Sequence, residues 1–295
     1  MTETRKTTRF ALLFFLYFMG TSVAVAMVPA VRNMSDSAYM LLAQLLSFLP
    51  PIIFYFLYTK KDIRKTLRLN PLGWKNVLLI ISFGVSIQPV MSLLSYVMSL
   101  FFPNPVEQSV TGIHASGLLL SMLSVAVIPA FLEEVFSRGI LLSGYRFLGK
   151  WKAAFFSALL FGLLHMNPQQ LPYAFVVGFL FCFLVERTDS LYASILPHMV
   201  INGTTVISIF TEGAGMGPVE METSAILLTL LLMALFSLPW LAFLFYLFLK
   251  INPPRNDFEL MDENGNVYTE KILTPSMVLI LLLYIGCGII PYLNP

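Results

Sequence analysis

The chain has 295 residues, 57% of them hydrophobic and 12% charged, with a mean hydropathy of +0.80. Soluble domains carry about 25% charged residues, so composition excludes a soluble globular protein and points to a polytopic membrane protein. A net charge of +2 is too small to argue for a nucleic-acid partner, and 26 phenylalanines suit a surface that faces the lipid bilayer.

The first element is a basic segment, Thr2–Arg9, leading into an apolar run from Phe10 to Val28. Ala24-Val25-Ala26 resembles a signal-peptide cleavage site, but the run is long and many others follow, so an uncleaved first helix is expected. Eight further runs follow: Tyr39–Tyr58, Val77–Phe101, Gly117–Ser143, Ala153–His165, Pro172–Val185, Leu191–Phe210, Ser224–Leu249 and Pro275–Ile290. A spanning helix needs about 20 residues, so the fifth and sixth runs fall short, and both eight and nine spans stay open. The expected fold is all-α, a polytopic transmembrane helical bundle. It divides into helices one to three (1–116, with the basic loop 59–75), a core of helices four to seven (117–210), and helices eight and nine (211–295, with the polar loop 250–274).

Loop charges give an orientation. Basic residues gather at the N-terminus, in Thr59–Lys75, after span four and after span eight, which are alternate loops. The intervening loops Phe102–Ser116 and Thr211–Thr223 hold glutamates and no Lys or Arg. The positive-inside rule then places the N-terminus in the cytoplasm and, with nine spans, the C-terminus outside, in a multi-pass protein of the cell membrane. Asn264-Gly265 is a weak hairpin signal in the last polar loop. Cys182 and Cys287 lie in separate apolar runs and read as small buried hydrophobes, with no disulfide or metal motif.

Within the nine runs only five residues are Asp, Glu, Lys, Arg or His: Glu133, Glu134, Arg138, His165 and His198. Ionisable groups inside a membrane are costly and usually face a bundle interior or a wet cavity. Glu134 has Arg138 four residues on, Phe161 has His165, and His198 has Asn202, and residues four apart share a helix face. Measured from the basic ends of their helices, Glu133, His165 and His198 stand at roughly 15, 18 and 12 Å. One shared intramembrane site is therefore geometrically consistent.

Glu133 and Glu134 are adjacent, so their side chains diverge by about 100° and are expected to do different work. Glu134 with Arg138 reads as a buried ion pair. Glu133 is left to face the histidines as a general base for water, while an imidazole and the Asn202 amide donate to a developing oxyanion. That inventory matches peptide-bond hydrolysis. The same groups also read as a zinc set of His165, His198 and Glu133. No His-Glu-x-x-His is present, and Asn is a poor zinc ligand but a good oxyanion donor, which favours the metal-free reading.

Glu133-Glu134-x-x-x-Arg138, Phe161-x-x-x-His165 and His198-x-x-x-Asn202 together resemble the three motifs of the CAAX protease and bacteriocin-processing family of intramembrane endopeptidases, most closely its bacterial members. The resemblance covers about Leu118–Phe210. It implies a cytosol-facing cavity with Glu133 as the water-activating carboxylate, His165 as its partner, and His198 with Asn202 on the oxyanion. The implied partner is a peptide or membrane-protein substrate. A proton-coupled transporter and a non-catalytic membrane scaffold of the same fold are the competing readings of these residues.

Overall fold

The structure is a computed structural model and describes residues 2–103, 112–212, 222–254, 270 and 272–293. All nine apolar runs fold as helices, and no strand occurs among the described residues. They are α1 (Glu3–Ala26), α2 (Asp36–Thr59), α3 (Trp74–Ser99), α4 (Leu118–Leu148), α5 (Lys150–Leu164), α6 (Leu171–Thr188), α7 (Tyr192–Glu212), α8 (Thr223–Ile251) and α9 (Pro275–Tyr292). Eight are long and apolar enough to cross a membrane, while α5, at 15 residues, is not. The Asn264-Gly265 hairpin signal lies outside the described residues.

Local chemistry sets the helix ends. The Thr2 hydroxyl accepts from the Arg5 amide at the start of α1, and the Thr274 hydroxyl accepts from the Met277 amide before α9. Each supplies one of the acceptors that the first turn of a helix lacks. Helix α2 runs through Pro50 and Pro51 and stops at Lys60, whose φ of 53° breaks the helical path.

Helices α5 and α6 form an antiparallel hairpin, with Trp151 stacked near Phe179 and Phe155 meeting Phe175. The start of α1 and the end of α9 lie at opposite ends of the bundle.

One end gathers the start of α1, the end of α2 and the end of α4. Lys61 pairs with Glu3 at 2.9 Å, the Tyr145 hydroxyl meets that of Thr8, and the Ser143 hydroxyl donates to the Thr66 carbonyl. The Leu191 amide donates to the Arg68 carbonyl, and Asn76 and Asn252 exchange amide hydrogen bonds. Every described Lys and Arg except Arg32 and the intramembrane Arg138 belongs to this end. At the opposite end the Ser37 hydroxyl meets that of Ser121, and the ring of His114 stacks on Phe210.

The apolar core fills the half of the bundle next to the basic end. Phe14 stacks on Phe136 at 3.8 Å, and Phe136, Ile140, Leu141, Leu142 and Tyr145 have no exposed surface. Close approach of α7 to α3 depends on Gly84, where a Cβ would stand 3.2 Å from the Pro197 Cα.

Candidate active site

Helix α4 is not a uniform α-helix. Two π-helical segments, Met122–Val127 and Val135–Leu141, flank an α-helical stretch, Ile128–Glu134, that opens with Pro129 near its first turn. Such segments widen a helix locally and recur at functional sites. Pro129 has no N–H to return to the carbonyl four residues back, that of Val125. The Asn202 side-chain amide donates to that carbonyl at 2.9 Å. The backbone gap left by one proline is thus an anchor for a side chain of α7.

Below this gap the two glutamates separate. The Arg138 Nη1 donates to Glu134 Oε1 at 2.9 Å, with both residues fully buried. The Arg138 Nε and Nη2 have no hydrogen-bond partner among the described residues. Two aromatic faces receive the guanidinium instead, Phe161 at 4.2 Å and Phe181 at 5.4 Å. A desolvated cation over an aromatic ring gains about 2 kcal/mol or more, which offsets part of the cost of burying it. Gly178 makes room for it, since a Cβ there would lie 2.8 Å from Nη2.

His198 bridges the two carboxylates. Its Nδ1 lies 2.8 Å from Glu134 Oε1 and its Nε2 3.9 Å from Glu133 Oε2. Glu133 Oε1 accepts from the Gln44 amide at 2.9 Å. His165 reaches the same cavity from the end of α5, with Nδ1 3.0 Å from the Phe161 carbonyl. A proton on Nδ1 of each ring makes these contacts donors and leaves Nε2 as the working atom. Phe161 therefore serves twice: its ring seats Arg138 and its carbonyl orients His165.

Three parts of the site are not visible in the five charged and imidazole residues. Gln44 is an uncharged amide in the second apolar run, and it acquires meaning only through a contact across 89 residues of sequence. The cationic seat on Phe161 and Phe181 is hidden because phenylalanine is common throughout the chain. Gln169, whose amide donates to Ser95 on α3, fixes the tip of the α5–α6 hairpin. An inspection of apolar runs for amides as well as charges finds Gln44.

Glu133, Phe161, His165, His198 and Asn202 all line one cavity of about 960 Å³. That is the upper end of the usual range for ligand pockets, about 300–1,000 Å³. Its walls are mostly apolar, with Met91, Val177 and Phe181 among them, and carry hydroxyls and amides such as Ser92, Ser95 and Gln88; among the described residues its only charged or imidazole groups are Glu133, His165 and His198. From the level of Glu133 the cavity extends to Tyr39 at the start of α2 and Ser99 at the end of α3. These helix ends are opposite the basic loops. On the basic side the floor is closed by Glu134, Arg138 and the packed core. The cavity therefore opens at the end of the bundle away from the basic loops. The short hairpin and the solid core put the hollow half at the other end.

Zinc was tested against the donor set. Among the described residues no three His, Cys, Asp or Glu side chains come together as a metal-holding group. His198 Nδ1 is engaged by Glu134 and His165 Nδ1 by the Phe161 carbonyl, which leaves the Nε2 of each ring facing the cavity. Among the described residues Glu133, His165 and His198 do not close into a three-donor group, and no chemistry is routed through a metal.

The helical bundle thus places one carboxylate and two imidazoles on the wall of a single cavity. Residues 115–204 match the family model described as Type II CAAX prenyl endopeptidase Rce1-like, which places this part of the chain in the CAAX protease and bacteriocin-processing family, a family of proteases. The matched segment holds Glu133, Glu134, Arg138, His165, His198 and Asn202. No curated protein and no solved structure matches the chain.

Proposed function

We propose that this protein is an intramembrane endopeptidase that hydrolyses peptide bonds with a water molecule activated by Glu133. One observation carries the reading: Glu133 is the carboxylate on the cavity wall, held by Gln44 and facing the His198 Nε2, while Glu134 is buried off the cavity with its Oε1 shared by Arg138 and His198. The family match to a protease supports it.

In this mechanism the Glu133 carboxylate takes a proton from water as the water oxygen attacks the scissile carbonyl carbon. His165, its Nδ1 proton held by the Phe161 carbonyl, accepts from the same water at Nε2 and orients it. The carbonyl oxygen becomes an oxyanion. Asn202 spends one amide hydrogen on the Val125 carbonyl and offers the other to that oxyanion. His198, carrying both ring protons, donates to Glu134 from Nδ1 and toward the oxyanion from Nε2. The set Glu133, Glu134, Arg138 and His198 is then neutral overall, as a site inside a membrane requires. Collapse of the intermediate breaks the C–N bond, and the proton on Glu133 passes to the leaving amine.

The N-terminus and the basic loops face the cytoplasm of the cell membrane in this reading. The test is a mass-spectrometric search for new peptide termini when the protein, reconstituted in nanodiscs, is incubated with a diverse peptide pool. Wild type is expected to generate termini that Glu133→Ala and His165→Ala do not, a loss of about 10²–10⁴-fold for a general base. Equal processing by all three proteins rejects the proposal.

A further inference from the structure

Resting on the reading of the cavity as a peptidase site, we infer that it opens on the non-cytosolic face, and that the substrate is an exported or outward-projecting, membrane-tethered peptide with uncharged residues around the cleaved bond. Two independent features of the structure converge on this. The first is the distribution of cations: with Arg138 set aside, every described Lys and Arg but Arg32 sits at one end of the bundle. Lys and Arg concentrate in the short loops that stay in the cytoplasm. The second is the position of the hollow. The cavity reaches from Glu133 to Tyr39 and Ser99, at the far helix ends, whereas the half beside the basic loops is closed by Arg138, Ile140 and Tyr145 without exposed surface.

The α5–α6 hairpin explains why the hollow lies there. Helix α5 ends at Leu164, and its turn is tied by Gln169 to Ser95 partway along α3. Helices α3, α4 and α7 continue past that tip, so they enclose space above it. A peptide on the cytosolic side, including a prenylated C-terminal segment of the kind in the family description, has no path through the packed half. The lining chemistry sets the second part of the proposal. Among the described residues the walls are mostly apolar, with interspersed serines, glutamines and tyrosines and no cation or second carboxylate, so the cavity accepts neutral side chains and pairs with backbone amides. A substrate Lys, Arg, Asp or Glu beside the bond would be desolvated without a partner.

The experiment reads sidedness without needing activity. In a Cys287→Ser background, Ser99→Cys at the cavity mouth and Lys65→Cys at the basic end are labelled by a membrane-impermeant maleimide, in intact cells and in inverted vesicles. Ser99→Cys is expected to react in intact cells and Lys65→Cys only in inverted vesicles. Reaction of Ser99→Cys in inverted vesicles alone, reaction of both from one side, or failure of Ser99→Cys from both sides while Lys65→Cys reacts, each overturns the outward opening. A neutral peptide displayed on a single-span anchor is then offered on either side of the membrane. Cleavage of the outward display alone, lost when charged residues flank the bond, is expected, and cleavage of the cytosolic display overturns the assignment. If labelling gives the outward pattern but neither display is cut, the peptidase reading fails and the orientation stands.

Discussion

The side-chain amide of Asn202 donates to the carbonyl of Val125 at 2.9 Å, the acceptor that Pro129 leaves without its helical partner. One amide hydrogen is fixed by this contact, and in the proposed mechanism the other is the oxyanion donor. Asn202→Ala is expected to lower kcat by about 10²–10³-fold, the usual loss of an oxyanion donor, with little change in KM. Pro129→Ala restores a backbone N–H to compete for Val125, and about a tenfold fall in kcat is expected, ~1.4 kcal/mol. Steady-state kinetics on a cleaved peptide checks both, and an unchanged kcat in Asn202→Ala removes the residue from the mechanism.

The Glu134–Arg138 pair is a structural element under charge. Removing one partner leaves the other charge buried, a cost of about 3–5 kcal/mol, whereas removing both is far milder. Arg138→Leu should therefore unfold at markedly lower temperature in detergent than the double variant Glu134→Leu with Arg138→Leu. If the double variant is as unstable as the single one, the pair is not what holds this part of α4.

Gly178 is the opening through which the guanidinium reaches its aromatic seat. A Cβ at this position meets Arg138 Nη2 at 2.8 Å and Phe161 Cδ1 at 3.1 Å. Overpacking of this kind costs about 1–3 kcal/mol. Gly178→Ala should lower the melting temperature and impair activity together, because moving Phe161 also moves the carbonyl that holds His165. A variant with wild-type stability and kinetics shows that the seat tolerates a methyl group.

Gln44 positions Glu133 from α2. A hydrogen bond to a charged group contributes about 1.5–3 kcal/mol, so Gln44→Ala is expected to reduce kcat roughly 10- to 100-fold. The pH profile is the discriminating readout: loss of the donor should shift the limb that reports the general base, while a merely structural role would leave it in place.

Chelation tests the absence of a metal step. Prolonged incubation with EDTA and 1,10-phenanthroline should leave cleavage unchanged, because among the described residues no three His, Cys, Asp or Glu side chains come together as a metal-holding group. Loss of activity that added zinc restores would overturn this expectation.

Much of the bundle is legible in the sequence because hydropathy alone sets which segments a bilayer accepts. Each apolar run becomes a helix, and α5 is short where the run from Ala153 to His165 is short. The motif spacing likewise places Glu134 within reach of Arg138, since both sit on one helix face. The rest depends on contacts between distant segments. Gln44 meets Glu133, and His198 meets Glu134 rather than standing free beside Asn202, because α2 and α7 pack on opposite flanks of α4. The π-helical stretches have no periodic signature. The direction of the cavity is equally hidden, since it depends on where the α5–α6 hairpin stops and on which half of the bundle the aromatic core fills.

The unequal filling of the two halves has a consequence for turnover. With Phe136, Ile140, Leu141 and Tyr145 packed tight beneath Glu133, that floor acts as a permanent bulkhead against leakage of ions and protons while peptide is being cut. In the proposed reaction both cleavage fragments then back out through the doorway that admitted their parent, and discharge of the newly made ends competes with the arrival of the next chain.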